Sequence, residues 1–173
     1  MSAAPPGEGP TPATGSPAGP PGRRRIEPVS IALVAAQFLL IAILASPIAT
    51  LVPSGPVGAL GALCLAGSLA LVGWAFASMR PANFSVLPEP VDGNRLVTRG
   101  PYARVRHPMY SAVLLGGLGA CLLHGTATDW LLLVALAAVM VVKARREERL
   151  LRAVHPGYAG YASRTSALVP GVY

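Results

Sequence analysis

The residues that could do chemistry lie close together in segment 100–110, Gly-Pro-Tyr-Ala-Arg-Val-Arg-His-Pro-Met-Tyr. Pro108 favours the first position of a helix, because its missing N–H costs nothing there. Arg106 and His107 should therefore lie at a helix N-terminus, where free N–H groups and the helix dipole favour an anion. This segment predicts a polar site at the end of an apolar helix.

The apolar segment that follows, residues 108–142, contains a single charged residue, Asp129. It is too long for one membrane span, because the core of a bilayer needs about 20 residues. We therefore predict a helical hairpin with its turn at residues 124–129 and a second arm that continues into the charged segment 143–151. The two ends of such a hairpin are neighbours in space.

Glu147 and Glu148 lie in that charged continuation, so they should face Arg106 and His107. A helix N-terminus with cations suits the carboxylate of a zwitterionic ligand, and a glutamate suits its ammonium group. The two tyrosines of the segment could wall a flat or cationic group. Each residue alone also fits a plainer role, as a basic anchor, a solvated helix face or an interfacial aromatic. Their convergence on one face favours a site.

Pairs four residues apart in the charged continuation lie on one face of a helix. Lys143 can pair with Glu147 in this way, and Glu148 can pair with Arg152.

The composition indicates an integral membrane protein, because 53% of the 173 residues are hydrophobic and only 12% are charged. The net charge of +7 is explained by basic residues that mark cytoplasmic loops. No base-reading motif accompanies these residues, so we predict no nucleic-acid partner. Cys64 and Cys121 lie inside apolar segments and are expected to be small core residues, so we predict no metal site.

An all-α membrane fold with about four transmembrane helices follows, with spans at roughly 29–52, 57–79, 108–124 and 129–145. Residues 1–25 form a Pro/Gly-rich tail that ends in a basic anchor and is expected to be disordered, whereas residues 26–173 form the membrane domain. A polar interfacial loop precedes the third span, and a cytoplasmic extension follows the fourth. Basic residues lie before span 1, between spans 2 and 3, and after span 4, which predicts that both termini are cytoplasmic.

Two blocks of residues then carry a family resemblance. The first runs from Leu96 to Tyr110 and includes Arg106-His107-Pro108, and the second contains Glu147-Glu148 followed by Tyr158 and Tyr161. This order resembles the isoprenylcysteine carboxyl methyltransferase family, within the wider group of membrane methyltransferases that includes phospholipid methyltransferases. The resemblance covers roughly residues 83–173.

The resemblance implies an integral membrane enzyme that uses S-adenosylmethionine to methylate a carboxylate, amine or thiol of a lipophilic acceptor. That acceptor would enter from the bilayer. Catalytic roles are expected for Arg106, which would brace the site or orient the acceptor, and for Glu148. The expected cofactor contacts are Leu96, Val97, Tyr102, His107, Pro108, Met109, Tyr110 and Glu147.

One departure from the family pattern bears on the substrate. Lys143 stands where the prenylcysteine enzymes carry an arginine, and lysine keeps the charge but lacks the bidentate fork. This favours an acceptor other than a prenylcysteine. The bias towards Arg over Lys and towards Ala, Gly and Pro indicates a bacterial protein of the inner membrane. Two alternatives remain open: a related membrane lipid reductase, and a non-enzymatic scaffold or sensor that keeps the fold.

Overall fold

The computed structural model describes residues 27–46, 53–79, 85–87 and 96–171. Five α-helices and one 3₁₀ turn are defined within these ranges: α1 (Pro28–Ala45), α2 (Gly55–Ser78), the 3₁₀ turn (Gly100–Ala103), α3 (Pro108–His124), α4 (Ala127–Val154) and α5 (Tyr158–Ala162). The predicted tail 1–25 lies outside the described residues, as do positions 47–52 of the first predicted span and most of the loop that follows α2.

Three of these helices, α1, α2 and α4, are long and apolar enough to cross a membrane, and α3 is a shorter apolar helix. Together they define an integral membrane protein. The prediction of an all-helical fold is confirmed for the described residues, which contain no named strand and only an isolated β-bridge. How many helices cross the bilayer, and in which direction, stays a prediction.

The helix ends follow from local chemistry. Proline occupies the first turn of α1, α2 and α3, where its lack of an N–H costs nothing. Helix α3 ends at Gly125, whose φ of 77° lies in the left-handed region that glycine adopts without strain. Helix α4 then begins with a capping box, in which Thr126 and Asp129 satisfy each other's backbone N–H groups. His124 contacts the same carboxylate, with 2.7 Å between Nδ1 and Oδ2. The tight hairpin between α3 and α4 is therefore encoded locally.

Helices α2 and α3 pack at close range because glycines face each other across their contact. A Cβ at Gly119 would lie 2.8 Å from the carbonyl oxygen of Gly61, and a Cβ at Gly61 would lie 3.0 Å from the carbonyl oxygen of Gly119. Small residues allow this approach, which is a common basis of helix association in membranes.

Helix α1 packs chiefly against α4, and polar contacts fix its register. Arg146 forms an ion pair with Glu27 at 2.7 Å, and its Nε donates to Ser30 Oγ at 3.0 Å. Farther along, Lys143 donates to Gln37. Helix α1 also contacts α3, whereas the described parts of α1 and α2 are not packed against each other along their lengths.

Candidate active site

The C-terminal segment, residues 158–171, holds the site loop, residues 100–107, in place through backbone hydrogen bonds. The N–H of Arg106 donates to the carbonyl of Ser166 at 2.8 Å, and the N–H of His107 donates to that of Ala167 at 3.0 Å. The N–H of Ser166 donates in return to the carbonyl of Arg104 at 3.0 Å. His107 has a φ of −123°, as expected for a residue that precedes proline. The loop is therefore braced by an isolated parallel β-bridge between Val105 and Ser166.

The guanidinium of Arg106 donates hydrogen bonds to other groups of the protein. Its Nε donates to Glu148 Oε1 at 2.7 Å, and its Nη1 donates to the carbonyl oxygens of Ala162, at 3.0 Å, and Thr165. Both side chains of the ion pair are largely buried. Arg106 therefore ties three segments together: the site loop, α4 and the C-terminal segment.

His107 lies between the two glutamates and is almost completely buried. Its Nδ1 is 3.4 Å from Glu147 Oε2, and its Nε2 is 3.3 Å from Glu148 Oε1. Burial opposes protonation of the ring, but hydrogen bonds and charges from both glutamates outweigh that effect and raise the pKa of His107 to about 9. The ring is therefore an imidazolium at neutral pH, with a donor on each nitrogen.

Glu147 is oriented by two donors on the same oxygen. The hydroxyl of Tyr110 donates to Oε2 at 2.9 Å, and His107 approaches that oxygen as well. The ring of Tyr110 stacks on His107, with 5.2 Å between centroids and planes 4° apart. Within the described part of the chain, the other oxygen, Oε1, has no partner. Glu147 therefore presents a fixed carboxylate with one oxygen still available.

These groups lie at one end of a cavity of ≈ 280 Å³. Its polar wall comes from the site loop, the first turn of α3 and α4: Tyr102, Arg106, His107, Tyr110, Lys143 and Glu147. Its other walls come mainly from apolar side chains of α1, α2 and α3 and from the short described segment 85–87: Phe38, Ile41, Val72, Met79, Val86 and Val113. A mostly apolar cavity with a few convergent polar groups is typical of a small-molecule site.

The structure gathers most of the predicted cofactor residues around this cavity: Tyr102, His107, Pro108, Met109, Tyr110 and Glu147. Leu96 and Val97 are not among the described residues that line it. Of the two predicted catalytic residues, Arg106 contributes to the wall, whereas Glu148 lies behind Arg106 and His107. The roles of all these residues remain predictions.

Lys143 and Gln37 form a polar pair that the sequence analysis did not anticipate. Lys143 is 1% exposed, and its Nζ donates to Gln37 Oε1 and, at 3.3 Å, to the carbonyl of Val86. The same ammonium lies 5.2 Å from the centroid of the Tyr110 ring. The expected ion pair between Lys143 and Glu147 does not form, because the lysine turns towards α1. Glu148 and Arg152 do pair, at 3.7 Å.

A signal for Gln37 was present in the sequence. It is the single amide side chain within the apolar helix α1, and a polar residue inside a membrane segment usually marks a buried contact or a site.

The phenol of Tyr102 stays protonated in this setting. Burial and the charge of Glu147 raise the pKa of Tyr102 well above its usual value. The hydroxyl of Tyr161 donates to the carbonyl of Tyr102 at 2.7 Å, so the C-terminal segment also supports this wall of the cavity.

No group of three or more His, Cys, Asp or Glu among residues 27–46, 53–79, 85–87 and 96–171 is arranged to hold a metal ion.

The site is a carboxylate–imidazolium cluster surrounded by a loop and two helices inside a bundle of membrane helices. Comparison with known proteins agrees with this arrangement. The chain belongs to the phospholipid methyltransferase family, which matches residues 57–156, more than half of its length. The match includes α2, the site loop, α3 and α4, and it begins after α1. The predicted relation to membrane methyltransferases is thus confirmed at the level of this wider group. Membership of the isoprenylcysteine branch stays a prediction.

Two bacterial relatives are similar over a shorter region. The chain is 43% identical over 79 residues to the cobalt-zinc-cadmium resistance protein CzcN of Cupriavidus metallidurans. It is 38% identical over 77 residues to the nickel-cobalt-cadmium resistance protein NccN of Alcaligenes xylosoxydans xylosoxydans. These regions are 44% and 43% of this chain and 36% of each relative, so they span about a third of the length of either protein.

Proposed function

We propose that this chain is an integral membrane methyltransferase that uses S-adenosylmethionine and methylates a lipophilic acceptor on a carboxylate, amine or thiol. The observation that carries the proposal is the fixed carboxylate of Glu147, which has one oxygen available at the polar end of an otherwise apolar cavity. Membership of the phospholipid methyltransferase family supports the same reaction class.

The residues present fit this methyl donor. Glu147 Oε1 would accept hydrogen bonds from the ammonium group of the donor. The imidazolium of His107 lies beside Glu147 and is complementary in charge to the carboxylate of the donor. The rings of Tyr102 and Tyr110 line the cavity and would attract the positively charged sulfur. When bound, S-adenosylmethionine supplies an activated methyl group.

The task of the protein is then to position two ligands and exclude water. The apolar walls contributed by α1, α2 and α3 would hold the acceptor in line with the polar wall, which is the main source of rate enhancement in a displacement of this kind. A carboxylate or thiolate acceptor needs no base. An amine acceptor must be neutral when it attacks, and His107 cannot accept its proton because the ring is already protonated at neutral pH.

The non-enzymatic alternative is a membrane scaffold or sensor that keeps the fold without catalysing the reaction. In this chain Tyr110, Glu147 and His107 keep mutual contacts that orient an available carboxylate oxygen, which favours the enzyme over a scaffold or sensor.

Binding of the donor tests the proposal directly. Calorimetric titration of detergent-purified protein with S-adenosylmethionine, and with its demethylated product, should show binding that Glu147→Gln weakens at least about tenfold, because a charge-assisted hydrogen bond is lost. Arg104→Gln is the matched control, since Arg104 is exposed and does not line this cavity. Absence of binding to folded wild-type protein would overturn the proposal and favour the scaffold or sensor.

A further inference from the structure

Helix spacing favours an ion pair between Lys143 and Glu147, but each side chain takes a different partner. The two residues lie four apart on α4, the spacing at which opposite charges on a helix meet, and both line the same cavity. Lys143 instead donates to Gln37 Oε1 and, at 3.3 Å, to the carbonyl of Val86. Glu147 accepts a hydrogen bond from Tyr110 at 2.9 Å. Partners on other segments therefore decide where the lysine points.

The ring of Tyr110 is in contact with both charges. The ammonium of Lys143 lies over this ring, 5.2 Å from its centroid, and the hydroxyl of the same ring donates to Glu147 Oε2. The flexible stem of lysine could therefore carry the ammonium from the ring face to the carboxylate without a movement of α4. Its present position depends on the oxygens that hold it from α1 and from segment 85–87.

Gln37 supplies the side-chain acceptor in this arrangement. Lys143 is 1% exposed, and a buried ammonium is costly unless acceptors replace its water. Without the oxygen of Gln37, the carboxylate of Glu147 on the adjacent turn of α4 becomes the alternative acceptor, and it offsets part of the loss. Gln37 lies on α1, before the region that matches the family, residues 57–156. The contact is thus a feature of this chain outside the matched region.

We propose that Gln37 is a positioning residue for the methyl-donor site: by holding the ammonium of Lys143, it keeps this cation off Glu147 and leaves Glu147 Oε1 open. The assignment rests on the proposed function, because the ammonium group of the donor is the ligand of that open oxygen. A lysine released from Gln37 would compete with the donor as a tethered ammonium in the same cavity. Such intramolecular competition acts at a high effective concentration.

Calorimetric titration of the detergent-purified full chain with S-adenosylmethionine measures the effect on donor binding. Gln37→Leu should weaken binding at least about tenfold, because the lysine then occupies Glu147 Oε1. Adding Lys143→Met should restore binding to within about threefold of wild type, because the competing ammonium is gone. Lys143→Met alone should bind the donor as wild type does.

A second readout needs no donor. Lys143 is the single lysine in the 173 residues, so lysine labelled with ¹³C and ¹⁵N gives nuclear magnetic resonance signals from one side chain. In Gln37→Leu protein, adding Glu147→Gln should shift the Nζ signal at least about three times as far as Glu147→Gln does in wild type. The reason is that the ammonium contacts Glu147 only after Gln37 has released it. A contact that merely stabilises the fold would not create this dependence.

Leu39→Val is the control on the same helix, because Leu39 is 62% exposed, and it should change neither donor binding nor the lysine signals. Gln37→Asn, whose amide is one methylene shorter, is an independent variant should Gln37→Leu fail to fold. Unchanged donor binding in a folded Gln37 variant, or lysine signals that respond to Glu147→Gln equally with and without Gln37, would overturn the positioning role. Wild-type protein that binds no donor while the lysine signals respond as expected would refute the proposed function and leave the hold of Gln37 on Lys143 standing.

Discussion

His107 is the residue on which burial and charge act in opposite directions. Desolvation disfavours its protonated form, while Glu147 and Glu148 stabilise it from two sides. The charges that face the ring are these two carboxylates from α4 and the neighbouring Arg106, and Tyr110 stacks against it. Because the carboxylates prevail, the cluster at neutral pH contains an imidazolium rather than a free base.

The stability of the protein should therefore fall in mildly alkaline solution. The pKa of His107 is about 9 in the folded state, above its unfolded value of roughly 6.5, so its contribution is fully present below pH 6.5 and is lost as the pH rises through 9. The difference corresponds to about 3 kcal/mol. Thermal unfolding in detergent between pH 6 and pH 10 should show this loss, and His107→Gln should flatten the profile in that window. An equally steep profile in the variant would assign the dependence to other groups.

Gln37 contributes to stability through its hydrogen bond with the buried ammonium of Lys143. Gln37→Leu removes the side-chain acceptor for the buried ammonium of Lys143 and should destabilise the protein by about 1–3 kcal/mol. Adding Lys143→Met should recover much of the loss, because no buried charge then remains unpaired. Thermal unfolding in detergent measures both effects, with Leu39→Val on the exposed face of α1 as the control. Additive losses in the double variant would contradict the pairing.

At the scale of elements, the C-terminal segment acts as a clamp on the site loop. The clamp consists of the backbone bonds of Ser166 and Ala167 to the loop, the bonds of Arg106 to the carbonyls of Ala162 and Thr165, and the bond of Tyr161 to Tyr102. None of these contacts needs a ligand. The clamp thus preorganises the loop, so that binding energy is not spent on ordering it.

Loss of Arg106 should loosen the clamp. Arg106→Gln leaves Glu148 largely buried without its main cation and should cost about 3–5 kcal/mol, the range for a broken buried pair. The rate of hydrogen exchange at residues 158–168 should rise at least tenfold. Arg106→Lys should not restore the slow exchange, because the single ammonium of lysine cannot replace the forked guanidinium of arginine. Arg164→Gln, at an exposed position of the same segment, should leave exchange unchanged. Equal exchange in the Arg106 and Arg164 variants would refute the clamp.

At the scale of the whole molecule, the charged site lies at one end of the bundle and the α3–α4 turn at the other. The ends of α2 and α4, the start of α3 and the C-terminal segment meet around the site, as the bonds of Arg99 to Ser78 and of Arg106 to Glu148 show. The positive-inside rule predicts that this end lies in the cytoplasm. A water-soluble donor would then reach the site from the cytoplasm while the acceptor arrives from the bilayer.

Cysteine accessibility tests that orientation. In a background of Cys64→Ser and Cys121→Ser, Thr128→Cys lies at the exposed α3–α4 turn and Ser163→Cys at the exposed C-terminal segment. A membrane-impermeant maleimide added to intact cells should label the first position, and only opened membranes should label the second. The parent without introduced cysteines measures the background. The reverse pattern would invert the topology.

The sequence by itself determined the class of fold and the ends of α3. Composition identified a membrane protein, and Pro108 and Gly125 bound α3 because each constrains its own backbone. The hairpin then brought the glutamates to the site loop. These are local signals, which depend on a few neighbouring residues, and Pro108 and Gly125 both lie within the range that matches the family, residues 57–156.

Only the tertiary structure decided which side chains line the cavity. Glu147 and Glu148 are adjacent in sequence but point about 100° apart around their helix, so one lines the cavity while the other braces Arg106 from behind. The rotation of α1 likewise decides that Lys143 meets Gln37 rather than Glu147, across 106 positions of the chain. Helix rotation depends on packing against neighbouring helices, such as the close contact of Gly61 and Gly119, and no local pattern specifies it.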